Sequence, residues 1–121
     1  MANKYLNEVV KRAREVANGC PLMDGRTKID AGDHVDEVLT IADAFKLTGD
    51  NGAYYCVIVN EISDGFFLSG GALTSIIEQA EIVADAHGVA LSETVDGIKF
   101  KFGDKVKTKN NRDFRPVTVV N

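Results

Sequence analysis

The sequence is short of the residues that staple, anchor or catalyse. Its 121 residues include two cysteines, Cys20 and Cys56, with no CxxC and no histidine partner at ligand spacing. Neither a disulfide framework nor a zinc site is indicated, and such usage fits an intracellular, cytoplasmic chain. No apolar run approaches the ~18 residues of a membrane helix, and residues 1–5 carry no apolar signal core, so neither export nor a membrane partner is expected. Lys and Arg are absent between Lys46 and Lys99, which leaves a polyanion little to grip there.

Catalytic patterns are missing as well. His34 and His87 stand without a Ser, a Cys or a paired carboxylate at motif spacing. Asp30, Asp33, Asp36 and Glu37 lack the spacing and closing Glu of a calcium loop, so they read as a solvated acidic loop. The glycine-rich residues 68–75 lack the Lys of a P-loop and the spacing of a dinucleotide fingerprint, so they read as a turn into a helix. No enzyme, catalytic residue, metal or cofactor is expected.

What is present is an ordinary globular composition, 45% hydrophobic and 26% charged, in a chain of single-domain length. One domain over residues 1–121 is expected, with a helix and loop in residues 1–28 ahead of a β-rich body in residues 29–121. The net charge of −4 is segregated along the chain. Residues 1–28 carry +3, residues 29–98 carry −12 and residues 99–121 carry +5.

Leu6, Val9, Val10, Ala13, Val16 and Ala17 recur at helical spacing opposite Lys11, Arg12, Arg14 and Glu15. That predicts an amphipathic helix, started at Asn3 and ended by Gly19 and Pro21. Residues 20–32 read as a loop. A strand over residues 38–47 meets the hairpin turn Gly49-Asp50-Asn51-Gly52, and residues 53–59 form a second strand that is apolar on both faces. A turn at Ser63-Asp64-Gly65 and a third strand at residues 66–69 follow. Ser75 and Glu78 form a capping-box signature for a second helix that ends at Gly88. Strands over residues 97–107 and 114–120, joined at Lys109-Asn110-Asn111-Arg112, close the order α-β-β-β-α-β-β. This is a mainly β, α+β fold with the element order of a five-stranded OB-like barrel, an α+β roll being the alternative.

The last hairpin concentrates the positive charge. Ile98, Phe100 and Phe102 alternate with Lys99 and Lys101, so one face is apolar and the other basic. Lys105, Lys107 and Lys109 keep the same parity around Val106, and Arg112 and Arg115 flank Phe114. Seven cations against two acids make a groove of the kind that tracks a phosphate backbone, with aromatic rings at hand for stacking. The competing reading is a solvated hairpin whose lysines discourage edge pairing. In the pairs Tyr54-Tyr55 and Phe66-Phe67, alternation sends one ring to the core and leaves the other to face a ligand.

The strand order, with Gly97-Ile98-Lys99-Phe100-Lys101-Phe102 and the segment from Lys107 through Arg112, Phe114 and Arg115 to Val120, resembles small phage-type single-stranded DNA-binding proteins of the OB fold. The resemblance spans residues 29–120. It implies a barrel face that protects single-stranded DNA in replication or recombination, in the host cell cytoplasm. Binding carries over to Tyr55, Phe66, Lys99, Lys101, Lys107, Arg112 and Arg115. The acidic middle confines any polyanion to the hairpin, with Arg26 and Lys28 as neighbours. The expected function is thus a non-enzymatic, sequence-tolerant binder of single-stranded nucleic acid. The rival is a protein-interaction or oligomerising module, an inhibitor or adaptor. In it, strand 54–59 and the N-terminal helix build a homodimer or higher homo-oligomer and the hairpin meets an acidic partner.

Overall fold

The structure, a computed structural model, describes Tyr5, Leu6, Val9, residues 20–50 and residues 52–121. The expected N-terminal helix lies outside the described residues apart from Leu6 and Val9; the Val9 N–H donates to the Tyr5 carbonyl at 3.0 Å, a helical-turn bond. Two 3-10 turns, Pro21–Met23 and Ala31–His34, flank the short strand β1 (Thr27–Lys28). The strands β2 (Leu39–Gly49), β3 (Gly52–Val59) and β4 (Ile62–Leu68) follow, then helix α1 (Gly71–His87) and a short helix α2 (Leu91–Val95). The chain closes with β5 (Lys99–Phe102), β6 (Val106–Lys107), β7 (Asp113–Phe114) and β8 (Val117–Val119).

The meander forms where alternating apolar residues predict it. Gly49 pairs with Gly52 at the first turn, where Gly52 takes a φ of +111°, a conformation open in practice only to glycine. The second turn does not sit at Ser63-Asp64-Gly65. Val59 pairs with Ile62, so the chain turns at Asn60-Glu61 and Ser63 to Gly65 lie within β4. Gly65 is buried for another reason: a Cβ there would collide with the Ile29 side chain, which crosses the strand just after β1 pairs with it. The glycine allows a close approach rather than a change of direction.

Six strands form one sheet in the order β1-β4-β3-β2-β5-β8, parallel only between β1 and β4. The two outer strands do not pair with each other, so the sheet is mainly β with flanking helices but is not closed into a barrel. The expected five-stranded OB-like closure is corrected on that point. Thr27 and Lys28 already occupy the outer edge of β4, and β8 is the outermost strand beside β5 among the described residues.

Both faces of the central strand are covered. Tyr55, Val57 and Val59 face Leu73, Ile77 and Ala80 of α1 and Val95 of α2, in a core shared with Leu39, Ile41, Phe67, Phe100 and Phe102. On the other side Cys56 and Phe66 pack with Cys20, Leu22, Met23, Phe45 and Leu47. Helix α1 begins at Gly71, ahead of the expected capping box. Ser75 lies inside it and donates its hydroxyl to the Gly71 carbonyl at 3.0 Å. Gly88 ends it as expected, in the left-handed conformation with φ +65° and ψ +31°.

A polar network ties helix to sheet across the core. The Tyr55 hydroxyl donates to one oxygen of Glu81 on α1, and Lys46 Nζ donates to the other at 2.8 Å. Burial, reinforced by that carboxylate, pushes the Tyr55 hydroxyl well above the tyrosine range. The Lys46 ammonium and then the Tyr55 hydroxyl hold Glu81 below its ordinary value, and Glu81 in turn raises Lys46.

Two predictions test these contacts. Gly65→Ala is expected to destabilise the chain by about 1–3 kcal/mol through overpacking, and Ile29→Ala in the same chain should recover part of that loss. A double-mutant cycle from urea unfolding reads the coupling, and strict additivity would contradict the contact. Glu81→Gln is expected to cost about 1–2 kcal/mol at neutral pH, since the Tyr55 hydroxyl and Lys46 lose an ionised acceptor. A depressed carboxyl stabilises only while ionised, so the gap to the unsubstituted chain should close as pH falls below the ordinary value of 4.5 and through the lower folded value.

Candidate nucleic-acid interface

The alternation expected in the closing hairpin holds over β5. Phe100 and Phe102 are buried, while Lys99 is exposed and Lys101 half-buried on the opposite face. β5 pairs with β2 through Leu39 and Thr40 and with β8 through Val117, Thr118 and Val119. The Glu61 carboxylate, close enough to Lys99 to be stabilised by it, accepts from the Thr40 N–H at 2.6 Å and the Thr40 hydroxyl at 2.8 Å. Partial burial works to raise Glu61, but these bonds outweigh it and hold the carboxyl below its ordinary value. An ionised acid therefore offsets the charge of Lys99.

Beyond Phe102 the strand stops, and the single basic register expected from Lys99 to Lys109 is interrupted. Residues 103–105 are irregular. The Gly103 N–H donates to the Pro116 carbonyl at 2.8 Å, and Arg115 Nη1 donates to the Gly103 carbonyl at 2.8 Å. A Cβ on Gly103 would lie 2.8 Å from the Pro116 ring, so glycine permits this tight neck. Proline, with no N–H to give, suits the matching break on the returning strand. Arg115 is thus half-buried and spends one guanidinium nitrogen on the neck.

Past the neck, β6 and β7 pair only with each other, and every residue from 104 to 114 is exposed. Val106 stands opposite Phe114 and Lys107 opposite Asp113. The tip is built by its own bonds: the Thr108 N–H donates to the Arg112 carbonyl at 2.9 Å, the Asn111 N–H to the Thr108 carbonyl at 2.9 Å, and the Arg112 N–H to the Thr108 hydroxyl at 3.2 Å. Asn111 takes a φ of +57°, a left-handed position that asparagine tolerates.

This ribbon carries Lys105, Lys107, Lys109 and Arg112 against Asp104 and Asp113. Lys107 Nζ meets Asp113 at 2.7 Å in an exposed ion pair, so its charge is shared. Lys105, Lys109 and Arg112 form no ion pair among the described residues. Phe114 is 40% exposed and Val106 49%, an apolar pair set among cations.

Tyr55 and Phe66 are not where a base would meet them. Tyr55 is fully buried against α1 and Phe66 is buried on the other face, so neither presents a ring to solvent. Phe66 and Phe67 are covered on both sides of the sheet, whereas in the first pair Tyr55 is the buried ring and Tyr54 is half-exposed. Phe114 is the aromatic ring that the structure exposes beside the cations. Lys28 lies on β1, at the opposite edge in strand order, and Arg26 is half-buried with Nη1 donating to the Leu22 carbonyl at 3.2 Å.

Asp30 caps the second 3-10 turn by accepting the Gly32 N–H at 2.9 Å, and His34 Nδ1 lies 2.8 Å from Glu37. Among the described residues no group of three or more His, Cys, Asp or Glu could hold a metal ion, and no helix is long and apolar enough to cross a membrane. Sequence reasoning missed the neck. Its signals were present in the Gly103 and Pro116 positions, which break the β pattern on both strands. No family model matches the chain, and no curated protein and no solved structure matches it either.

Proposed function

We propose that the chain is a non-enzymatic, sequence-tolerant binder of single-stranded nucleic acid that holds its ligand with the β6–β7 ribbon. The observation that carries this reading is the exposed Phe114 and Val106 pair on a ribbon that also carries Lys105, Lys109 and Arg112 and whose two strands pair with each other alone among the described strands. Cations on an exposed arm attract phosphates by releasing counterions, and a ring beside them stacks any base, because every base has a π-face. An open sheet serves as the platform for such an arm as well as the barrel of the phage-type proteins would, and a role in replication or recombination follows from that resemblance. Lys99 and Lys101, on the body of the sheet, extend the track with less free charge.

Fluorescence titration with labelled oligo-dT at low and moderate salt tests the proposal. Affinity should fall with ionic strength, with a log–log slope of about −2 for three phosphate contacts. Joint charge reversal of Lys105 and Lys109 should weaken binding and flatten that slope. Phe114→Ala should cost about tenfold in affinity, consistent with the loss of one stacked base, and leave the slope unchanged. The absence of binding at low salt would end this reading.

A second reading, a protein-interaction or oligomerising module, draws on different residues. Ile82, Val83 and Val89 are exposed on and just beyond α1, at 60%, 49% and 40%, and Val119 and Val120 are exposed at the β8 edge of the sheet. The apolar strand β3 no longer supplies the interface, since Cys20, Leu22 and Met23 cover its second face. Light scattering on the eluted chain tests this reading: a dimer whose mass falls to the monomer in an Ile82→Glu variant supports it, and a monomer at all concentrations removes self-association.

A further inference from the structure

Cys20 and Cys56 are the two cysteines of the chain and stand far apart in sequence, yet they share one buried cluster on the face of the sheet opposite α1. Cys20 directly precedes the first 3-10 turn and accepts the Met23 N–H on its carbonyl at 3.2 Å. Cys56 sits in the middle of β3 and is fully buried, whereas Cys20 keeps 9% of its surface exposed. Both are free thiols.

Arg26 completes the group. Its Nη1 is used by the Leu22 carbonyl, but its Nε is buried without a hydrogen-bond partner among the described residues. A buried, unsatisfied N–H on a cation costs free energy, and such groups in folded proteins have a reason to be there. Burial, then the adjoining Cys20 thiol, push the Cys56 thiol up to about 12, and the Arg26 guanidinium pulls the other way. The spare donor therefore belongs to the residue whose charge favours a sulfur anion in this cluster.

We propose that Cys20 and Cys56 are a dithiol that a small hydroperoxide converts to an intramolecular disulfide, with Arg26 as the cation that supports the sulfur anion. Cys20, the less buried sulfur, reacts first. Its thiolate attacks one peroxide oxygen, an S–O bond forms as the O–O bond breaks, and the departing oxygen takes the thiol proton to leave as water or alcohol. The Cys56 sulfur then attacks the Cys20 sulfenic acid. The S–S bond forms as the S–O bond breaks, and hydroxide leaves with the Cys56 proton as water. Two thiols lose two electrons in total and one hydroperoxide gains them. Burial on both sides keeps out a bulky disulfide such as oxidised glutathione and selects a small oxidant.

The bond would tie the chain at Cys20 to the middle of β3, closing a loop that contains both 3-10 turns, β1 and β2. This inference is independent of nucleic-acid binding.

The test treats the folded, unsubstituted chain with hydrogen peroxide, then alkylates it in denaturant and measures its intact mass. The expected product has lost two hydrogens, takes up no alkylating agent, stays monomeric on a non-reducing gel and is restored by dithiothreitol. Cys56→Ser should stop at a sulfenic acid on Cys20, captured by dimedone, while Cys20→Ser should leave Cys56 reduced. Arg26→Gln keeps both thiols and should slow disulfide formation several-fold by removing the cation that favours a sulfur anion. Two alkylatable thiols after peroxide, direct passage to sulfinic acid, or a disulfide-linked dimer would each overturn the proposal. The measurement on the unsubstituted chain decides the matter even if a variant fails to fold.

Discussion

A strand buried on both of its faces has to be covered twice, and β3 imposes that requirement on everything around it. Tyr55, Val57 and Val59 need a helix above them, which α1 supplies through Leu73, Ile77 and Ala80. Cys56 and Ile58 need cover below, which the chain supplies from its own N-terminal side with Cys20, Leu22 and Met23. The burial of apolar surface on each side is the dominant favourable term, and neither layer can be removed without exposing the strand. The crossing of Ile29 over Gly65 and the parallel pairing of β1 with β4 follow from bringing that lower layer in close.

Charge is arranged around this core rather than within it. Lys46, the sole cation between residues 29 and 98, is held by Glu81, whose second oxygen takes the Tyr55 hydroxyl. The acidic surface of the helical layer therefore keeps no free positive group of its own, and Glu61 offsets Lys99 on the sheet body. Among the described residues, Lys105, Lys109 and Arg112 of the ribbon stand exposed without an ion pair, as do Lys28 and Lys99 on the sheet.

Much of this was legible in the sequence where a local pattern and its tertiary setting agree. The meander, the Gly49–Gly52 turn, the Gly88 cap and the inward Phe100 and Phe102 all follow from period and turn chemistry. The errors share a cause: a residue whose role is set by something distant in sequence. Gly65 looked like a turn residue because nothing nearby announces Ile29. Tyr55 and Phe66 looked available because alternation counts one covered face, and this sheet has two. The closed barrel failed because the pairing of two residues, Thr27 and Lys28, is too short to leave a periodic signal, yet it takes the edge that closure would need. At the candidate site the basic residues are neighbours in sequence, but the break at Gly103 divides them into a sheet portion and an outlying portion.

That break has a consequence for how such a chain can change over time. The neck is held by three residues, Gly103, Arg115 and Pro116, through one backbone–backbone and one side-chain-to-backbone hydrogen bond at its base. Residues 104–114 contribute nothing to either hydrophobic cluster. Selection on folding and selection on what the tip touches therefore act on separate sets of positions. The loop can be recharged, lengthened or given a different ring while the core beneath it drifts under constraints of its own.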